Sequence, residues 1–303
     1  MNHVIELTQV SKKFKDKQAV NNISFQIPQG SITAILGPNG AGKTTTLSMM
    51  LGLMEPTSGK VNILGHTPSS PLVREKIGVM LQEVSVMDSL RIHELLTLVR
   101  SYYHNPLSME QLIKLTRFSQ TDLNRFTDKL SGGQKRSLNF ALALAGNPDI
   151  LFFDEPTVGL DTTARRHFWE DTRKLASQGK TIIFSTHYLQ EADDAADRIL
   201  LFNQGKIVAD DTPANIKAKL MQRTVSFLPQ QINNDELYAQ LEALFSDDGY
   251  HEQQGRIVIP TQNSDDLLRC IFKHELPVYD IQINEGRLDE AFEQLTIEPR
   301  GEQ

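Results

Sequence analysis

The 303-residue sequence has a single cysteine, Cys270. No disulfide can form within the chain, and this usage fits a reducing compartment. Cys270 lies in LLRCIFKH, a stretch that reads as helix, where a half-buried packing position is the simplest role. No run approaches the ~20 apolar residues that span a bilayer. The opening MNHVIELTQV holds no basic stretch followed by an apolar one, so a secretory leader is not expected. An excess of positive charge is missing as well: 31 Lys and Arg stand against 38 Asp and Glu, a net charge of −7. That balance argues against nucleic acid as a partner. Internal repeats and low-complexity tracts are also absent. The expectation is a soluble chain with one large and one smaller domain, able to bury its core without staples. Such a chain is still free to dock on a membrane protein from the cytoplasmic side.

What the sequence does contain is GPNGAGKTT at 37–45, which fits G-x-x-x-x-G-K-[ST] with Gly37, Gly42, Lys43 and Thr44 at the required places. Pro38, Asn39, Gly40 and Ala41 fill the loop, and Thr45 follows it. The stretch before it, 31–36, reads as a buried strand and 45–53 as a helix, which is the context the pattern needs. The glycines let backbone N–H groups turn inward around an anion. The helix N-terminus adds a favourable dipole. Lys43 supplies a point charge to the outer phosphates, and the Thr44 hydroxyl can ligate magnesium. The ligand class is a nucleoside triphosphate with a divalent metal. The loop alone does not fix the function, since many enzymes and switches carry it.

The rest of the chain alternates strands and helices, so an α/β sheet covered on both faces is expected. Strands are predicted at 4–9 and 23–27 around a turn region rich in Lys, Asp and Asn, then at 61–64. Residues 71–79 lead into a stretch that reads as mostly helical up to about 130, with helical spacing at 90–102 and 109–118. Helices at 138–145, 162–178 and 189–196 alternate with buried strands at 149–153 and 181–185. A hairpin is predicted at 199–209, turning at Asn203-Gln204-Gly205. The character changes near 220, where strands at 224–228 and 256–260 and helices at 235–245, 264–273 and 288–295 suggest a small α+β appendage.

Two further motifs carry chemistry. The apolar run Ile150–Phe153 ends in Asp154 and Glu155. Asp154 is placed to bind magnesium and Glu155 to act as a general base toward water. Taken alone, the run is equally a core strand with a solvated acidic end. Leu130-Ser131-Gly132-Gly133-Gln134 precedes a helix, and Ser-Gly-Gly at a helix start offers free N–H groups to an anion. Taken alone, it is an ordinary N-cap with flexible glycines.

In combination, these motifs resemble the ATP-binding cassette (ABC) family, of which LSGGQ is the signature, over roughly residues 3–220. The resemblance implies that Phe14 stacks on adenine, and that Gln82 in VMLQE senses the γ-phosphate and the transport partner. It further implies that Asp161 in Gly159-Leu160-Asp161 lies on a loop crossing a dimer interface, and that His187 in FSTHYLQEA is the switch histidine. Each residue also has a plain structural reading: a core aromatic for Phe14, a strand-end surface residue for Gln82, a structural histidine for His187. Val158 stands where the family often has Ser.

The implied fold is a P-loop NTPase sheet of ABC ATPase type. An antiparallel β subdomain and a helical subdomain at about 83–135 complete a nucleotide-binding domain at 1–220, followed by an accessory α+β domain at 221–303. ATP and Mg2+ would be held by Phe14, residues 37–45, Gln82 and Asp154 of one copy. Ser131, Gly132, Gly133 and Gln134 of a second copy would close the site. Glu155, His187 and Gln82 would carry hydrolysis, and Thr44, Gln82 and Asp154 would surround the metal. The implied role is to power transport through separate transmembrane subunits docking near 84–103, on the cytoplasmic face of the membrane. The tail LDEAFEQLT at 288–296 is similar to those of export-type ATPases.

The alternative within the family is an ATPase acting on ribosomes or chromosomes. One cassette rather than two, no coiled coil between Lys43 and Ser131, and net acidity all disfavour it. A GTPase would need an Asn-Lys-x-Asp motif, which is absent, and a kinase would need an acceptor site and lid.

Overall fold

In the computed structural model, which describes residues 3–82, 87, 89–220, 223–230, 234–245, 249–253, 255–261 and 263–284, the chain opens with two long antiparallel strands. They are β1 (His3–Phe14) and β2 (Lys17–Pro28). In β2, Ile23, Phe25 and Ile27 are buried while Ser24 and Gln26 between them are exposed, the two-residue period of a half-covered strand. The polar turn predicted between 9 and 23 shrinks to Lys15 and Asp16. Val10 and Val20 are fully buried and carry the pairing through this polar stretch. Next come β3 (Ile32–Leu36), α1 (Lys43–Met50) and β4 (Ser58–Ile63). β4 joins β1, so β2-β1-β4 form a three-stranded antiparallel sheet.

A proline-led helix, α2 (Pro71–Lys76), runs into β5 (Ile77–Met80), in the segment read only as the lead-in to a helical stretch. Four residues are too few to display alternation, and the strand owes its place to a long-range partner. After it come α3 (Ile92–Arg100) and α4 (Met109–Thr116). Two 3₁₀ turns, Asp122–Asn124 and Thr127–Lys129, stand in the last part of the stretch expected to be mostly helical up to about 130. There the Asp122 carboxylate accepts from the Ser119 amide at 3.0 Å and from its hydroxyl at 2.6 Å, a local bonding pattern that competes with helix. α5 (Gly132–Leu144) packs on α4.

β6 (Ile150–Asp154), α6 (Thr162–Ser177), β7 (Thr181–Thr186), α7 (Leu189–Ala195), β8 (Arg198–Asn203) and β9 (Lys206–Asp211) complete this part. The main sheet runs β5-β6-β7-β3-β8-β9, parallel throughout except for the β8–β9 hairpin. β3, β6 and β7 are buried at every residue, which is why they read as unbroken apolar runs rather than alternating ones. Because these three strands are neighbours, the loops at their carboxyl ends meet, and open parallel sheets bind ligands there. Beneath that edge, Phe140, Phe153, Phe168, Trp169 and Phe184 form a continuous aromatic chain with centroid separations of 4.5–5.8 Å. It ties α5 and α6 to β6 and β7.

Two compact units divide at Pro213 and Ala214. At that boundary α8 (Pro213–Leu220) begins, followed by β10 (Arg223–Pro229), α9 (Asn234–Phe245), β11 (His251–Gln253), β12 (Arg256–Thr261), α10 (Ser264–Lys273) and β13 (Val278–Asn284). Their sheet, β11-β12-β10-β13, is antiparallel, a β-α-β-β-α-β arrangement. Val225, Phe227, Leu241, Ile257, Ile259 and Ile271 lie at its core. The three-residue β11 and the largely exposed β13, despite the alternation of Tyr279, Ile281 and Ile283 with polar residues, escaped the sequence reading. The helix predicted at 288–295 and the tail motif lie outside the described residues, as do residues 84–86 and 88 of the proposed docking segment.

Candidate active site

β3 delivers the chain into the loop at 37–42, and α1 starts where that loop ends. Two glycines make the turn possible. A Cβ on Gly37 would sit 2.4 Å from the Phe202 carbonyl oxygen, and one on Gly42 2.5 Å from that of Ala19. Gly42 caps α1 at φ 103°, a left-handed conformation suited to glycine. Thr46 Oγ1 donates to the Gly42 carbonyl at 2.9 Å and steadies the first turn.

Lys43 is buried, and its ammonium donates to the carbonyls of Gly37 at 2.6 Å and Pro38 at 3.1 Å. An ammonium has three donors, so one is left for a phosphate oxygen. Burial lowers the lysine's pKa, while the charges of Glu155 and Asp154 oppose the shift. A desolvated ammonium acts more strongly on a nearby anion than a solvated one.

The acids arrive on β6. Parallel register sets Asp154 against Ser185 of β7, and Thr44 Oγ1 lies 3.5 Å from Asp154 Oδ1. The next residue, Glu155, adopts φ 47°, which is uncommon for a residue with a side chain. Its carboxylate has a donor on each oxygen: Gln82 Nε2 at 3.2 Å on Oε2, and His187 Nδ1 at 3.0 Å on Oε1. An ionised carboxylate only accepts, so His187 carries a proton on Nδ1, and both Glu155 oxygens keep lone pairs for a water. Gln82 thus reaches Glu155 from the end of β5; among the described residues no hydrogen bond joins it to Asp154 or Thr44.

The signature residues are built differently. Ser131 caps α5, its Oγ accepting from Gln134 N at 3.3 Å, while Gln134 Oε1 accepts from Ser131 N at 3.1 Å. This reciprocal box satisfies two helix-end amides and leaves the serine hydroxyl proton free. An added Cβ on Gly132 would meet nothing within 4 Å. Asp161 caps α6 through the Ala164 amide at 2.8 Å. Phe14, at the end of β1, is 43% exposed with the Lys12 ammonium 5.3 Å from its ring centroid. Among the described residues no hydrogen bond joins Phe14, Ser131, Gln134 or Asp161 to the loop at 37–45.

Sequence reasoning missed two supports. Ser185 is fully buried beneath both acids; a polar residue in the apolar run TIIFST was the available signal. Glu191, also buried, accepts from Thr157 Oγ1 and from Trp169 Nε1, the latter at 3.2 Å. That network links the segment after Glu155 to α6 and α7.

The family described as ABC transporter matches residues 20–158. The Nod factor export ATP-binding protein I of Burkholderia lata is 38% identical over 215 residues, covering 69% of this chain and 71% of the relative. The linearmycin resistance ATP-binding protein LnrL of Bacillus subtilis is 30% identical over 307 residues, 97% of this chain and 98% of the relative. Among solved structures, the dimeric bacterial ABC transporter cassette MJ0796 matches with a TM-score of 0.63 and 28% identity, over 69% of this chain and 98% of the cassette. The same cassette is known in a post-hydrolysis state with ADP and Pi. With a phosphate loop, a paired acid strand and an LSGGQ helix cap in one fold, the chain belongs to the ABC transporter family, as an ATP-binding and ATP-hydrolysing subunit.

Proposed function

We propose that this subunit drives an exporter: two copies clamp two ATP molecules, and separate membrane subunits on the cytoplasmic face take up the motion. The observation that carries this reading is that the Ser131–Gln134 cap keeps free donors while, among the described residues, no hydrogen bond joins it to the loop at 37–45. In this reading a triphosphate on the loop at 37–45 is covered from a second copy. The Ser131–Gln134 turn of a second copy supplies free donors and bare glycines to cover it. The names of the Nod factor and linearmycin relatives favour export and resistance. Among the described residues no helix is long and apolar enough to cross a membrane, which supports a separate membrane partner.

The donor set fits magnesium. Thr44 and Asp154 offer hard oxygens 3.5 Å apart, and magnesium takes few protein ligands when phosphates supply the others. Bound there, it would neutralise charge on the β- and γ-phosphates. Lys43 would hold the same oxygens, Glu155 would take a proton from the attacking water, and Gln82 and His187 would keep Glu155 aimed.

Gly132→Asp tests the cover from a second copy. The new carboxylate stands in open space at a helix N-terminus, where it stabilises α5, yet it repels a partner's γ-phosphate. The variant should melt like the parent, bind ATP as a monomer with parental affinity, and fail to double its mass with ATP in light scattering. ATP-driven doubling at parental strength would exclude the composite site. For the membrane partner, tagged Glu155→Gln protein with ATP, recovered from native membranes in mild detergent, should carry a stoichiometric integral membrane protein. Ribosomal or chromosomal proteins in its place would overturn the transport reading.

A further inference from the structure

We infer that Ser185 is a positioning residue that aligns both acids of the site, the metal-binding aspartate and the general base, through one hydroxyl. The argument rests on the proposed roles of Asp154 and Glu155. β7 is buried along its whole length and Ser185 is 0% exposed. A hydroxyl there is costly unless it is bonded. Ser185 Oγ uses its proton on Asp154 Oδ1 and accepts the Glu155 N–H at 3.1 Å. That N–H also lies 3.2 Å from the Ser185 carbonyl. The parallel register, which sets Asp154 opposite Ser185, dictates both contacts.

Each contact has a separate consequence. On the aspartate side, Oδ1 faces two hydroxyls, those of Ser185 and Thr44. The carboxylate is thereby fixed about its Cβ–Cγ bond, which sets the direction in which it can meet a cation. On the glutamate side, φ is 47°, a conformation that persists only where the surroundings over-determine it. Ser185 grips the amide of that residue with both its carbonyl and its hydroxyl. Removing the hydroxyl frees the Asp154 carboxylate to rotate and halves the grip on the Glu155 backbone, while Lys43 and the phosphate loop stay as they are.

The test compares Ser185→Ala, Ser185→Cys and Ser185→Thr in the full chain. Binding of Mn2+ in the presence of ATP is followed by electron paramagnetic resonance, ATP binding is measured in excess EDTA, and turnover is measured at saturating metal. Ser185→Ala and Ser185→Cys should weaken Mn2+ binding and lower kcat by about 10–100-fold, the range seen when a residue orienting a metal ligand is lost. ATP affinity in EDTA and the KM for ATP should stay at parental values. Ser185→Thr, which keeps the hydroxyl, should restore most of both losses. Parental Mn2+ binding and kcat in Ser185→Ala would overturn the inference. So would losses that follow the melting temperature across all three variants irrespective of the hydroxyl, since this would mark Ser185 as packing alone. Failure of the parent protein to bind Mn2+ with ATP would instead remove the metal assignment, and the Asp154 half of the inference with it.

Discussion

Glu155→Gln is expected to hold ATP, pair with a second copy, and turn over about 10²–10⁴ times more slowly than the parent, the range attributed to a positioned general base. The loss corresponds to about 3–5 kcal/mol in the barrier. The replacement is nearly isosteric, so φ 47° and the amide contacts to Ser185 should survive. What disappears is the basic oxygen pair held between Gln82 and His187. An amide cannot take the proton of the attacking water, and its NH₂ end would face a donor on one side. Phosphate release under single-turnover conditions is the direct measurement, with light scattering to detect the ATP-bound pair. Turnover close to the parental rate would take the base role away from Glu155 and leave water activation to the phosphates.

Lys43→Ala should lose ATP rather than slow it. A bond from a charged donor contributes about 1.5–3 kcal/mol, so Kd for ATP should rise by about 10–150-fold. The lysine also ties the carbonyls of Gly37 and Pro38, and its removal loosens the loop that presents the amides. Equilibrium binding with a fluorescent ATP analogue, alongside a melting curve, separates loss of the ligand from loss of the fold. Unchanged affinity would contradict the phosphate-loop assignment. The two variants differ in kind: one should accumulate the ATP-bound pair, the other should never form it.

Much of this was legible in the sequence because the chemistry is local. A phosphate loop needs its glycines, lysine and threonine within nine consecutive residues, and β3, β6 and β7 announce themselves as apolar runs because both faces are covered. Non-local pairing was not legible. β5 exists through its register with β6, Ile77 against Ile150 and Met80 against Phe153, and nothing in four residues announces that. The joining of Gln82, Glu155 and His187 spans 73 and 32 positions, and no spacing rule derives it. Ser185 looked like the end of a strand; its role appears only when β6 lies beside β7. The 3₁₀ turns after α4 interrupt a stretch predicted to be mostly helical, because side chains of Ser119 and Asp122 took up the local bonding.

The Thr157–Glu191–Trp169 network also gives the molecule a built-in optical gauge. Trp169 is the chain's single tryptophan. Its indole N–H is bonded to Glu191, and its ring lies 4.5 Å from Phe184, next to Ser185 in β7. Tryptophan emission from this protein therefore originates at one address, in the network that holds the segment just after Glu155. Any shift of α7 relative to β6 changes the polarity and hydrogen bonding of that indole, so the wavelength and intensity of its light record the state of the site in the unlabelled protein.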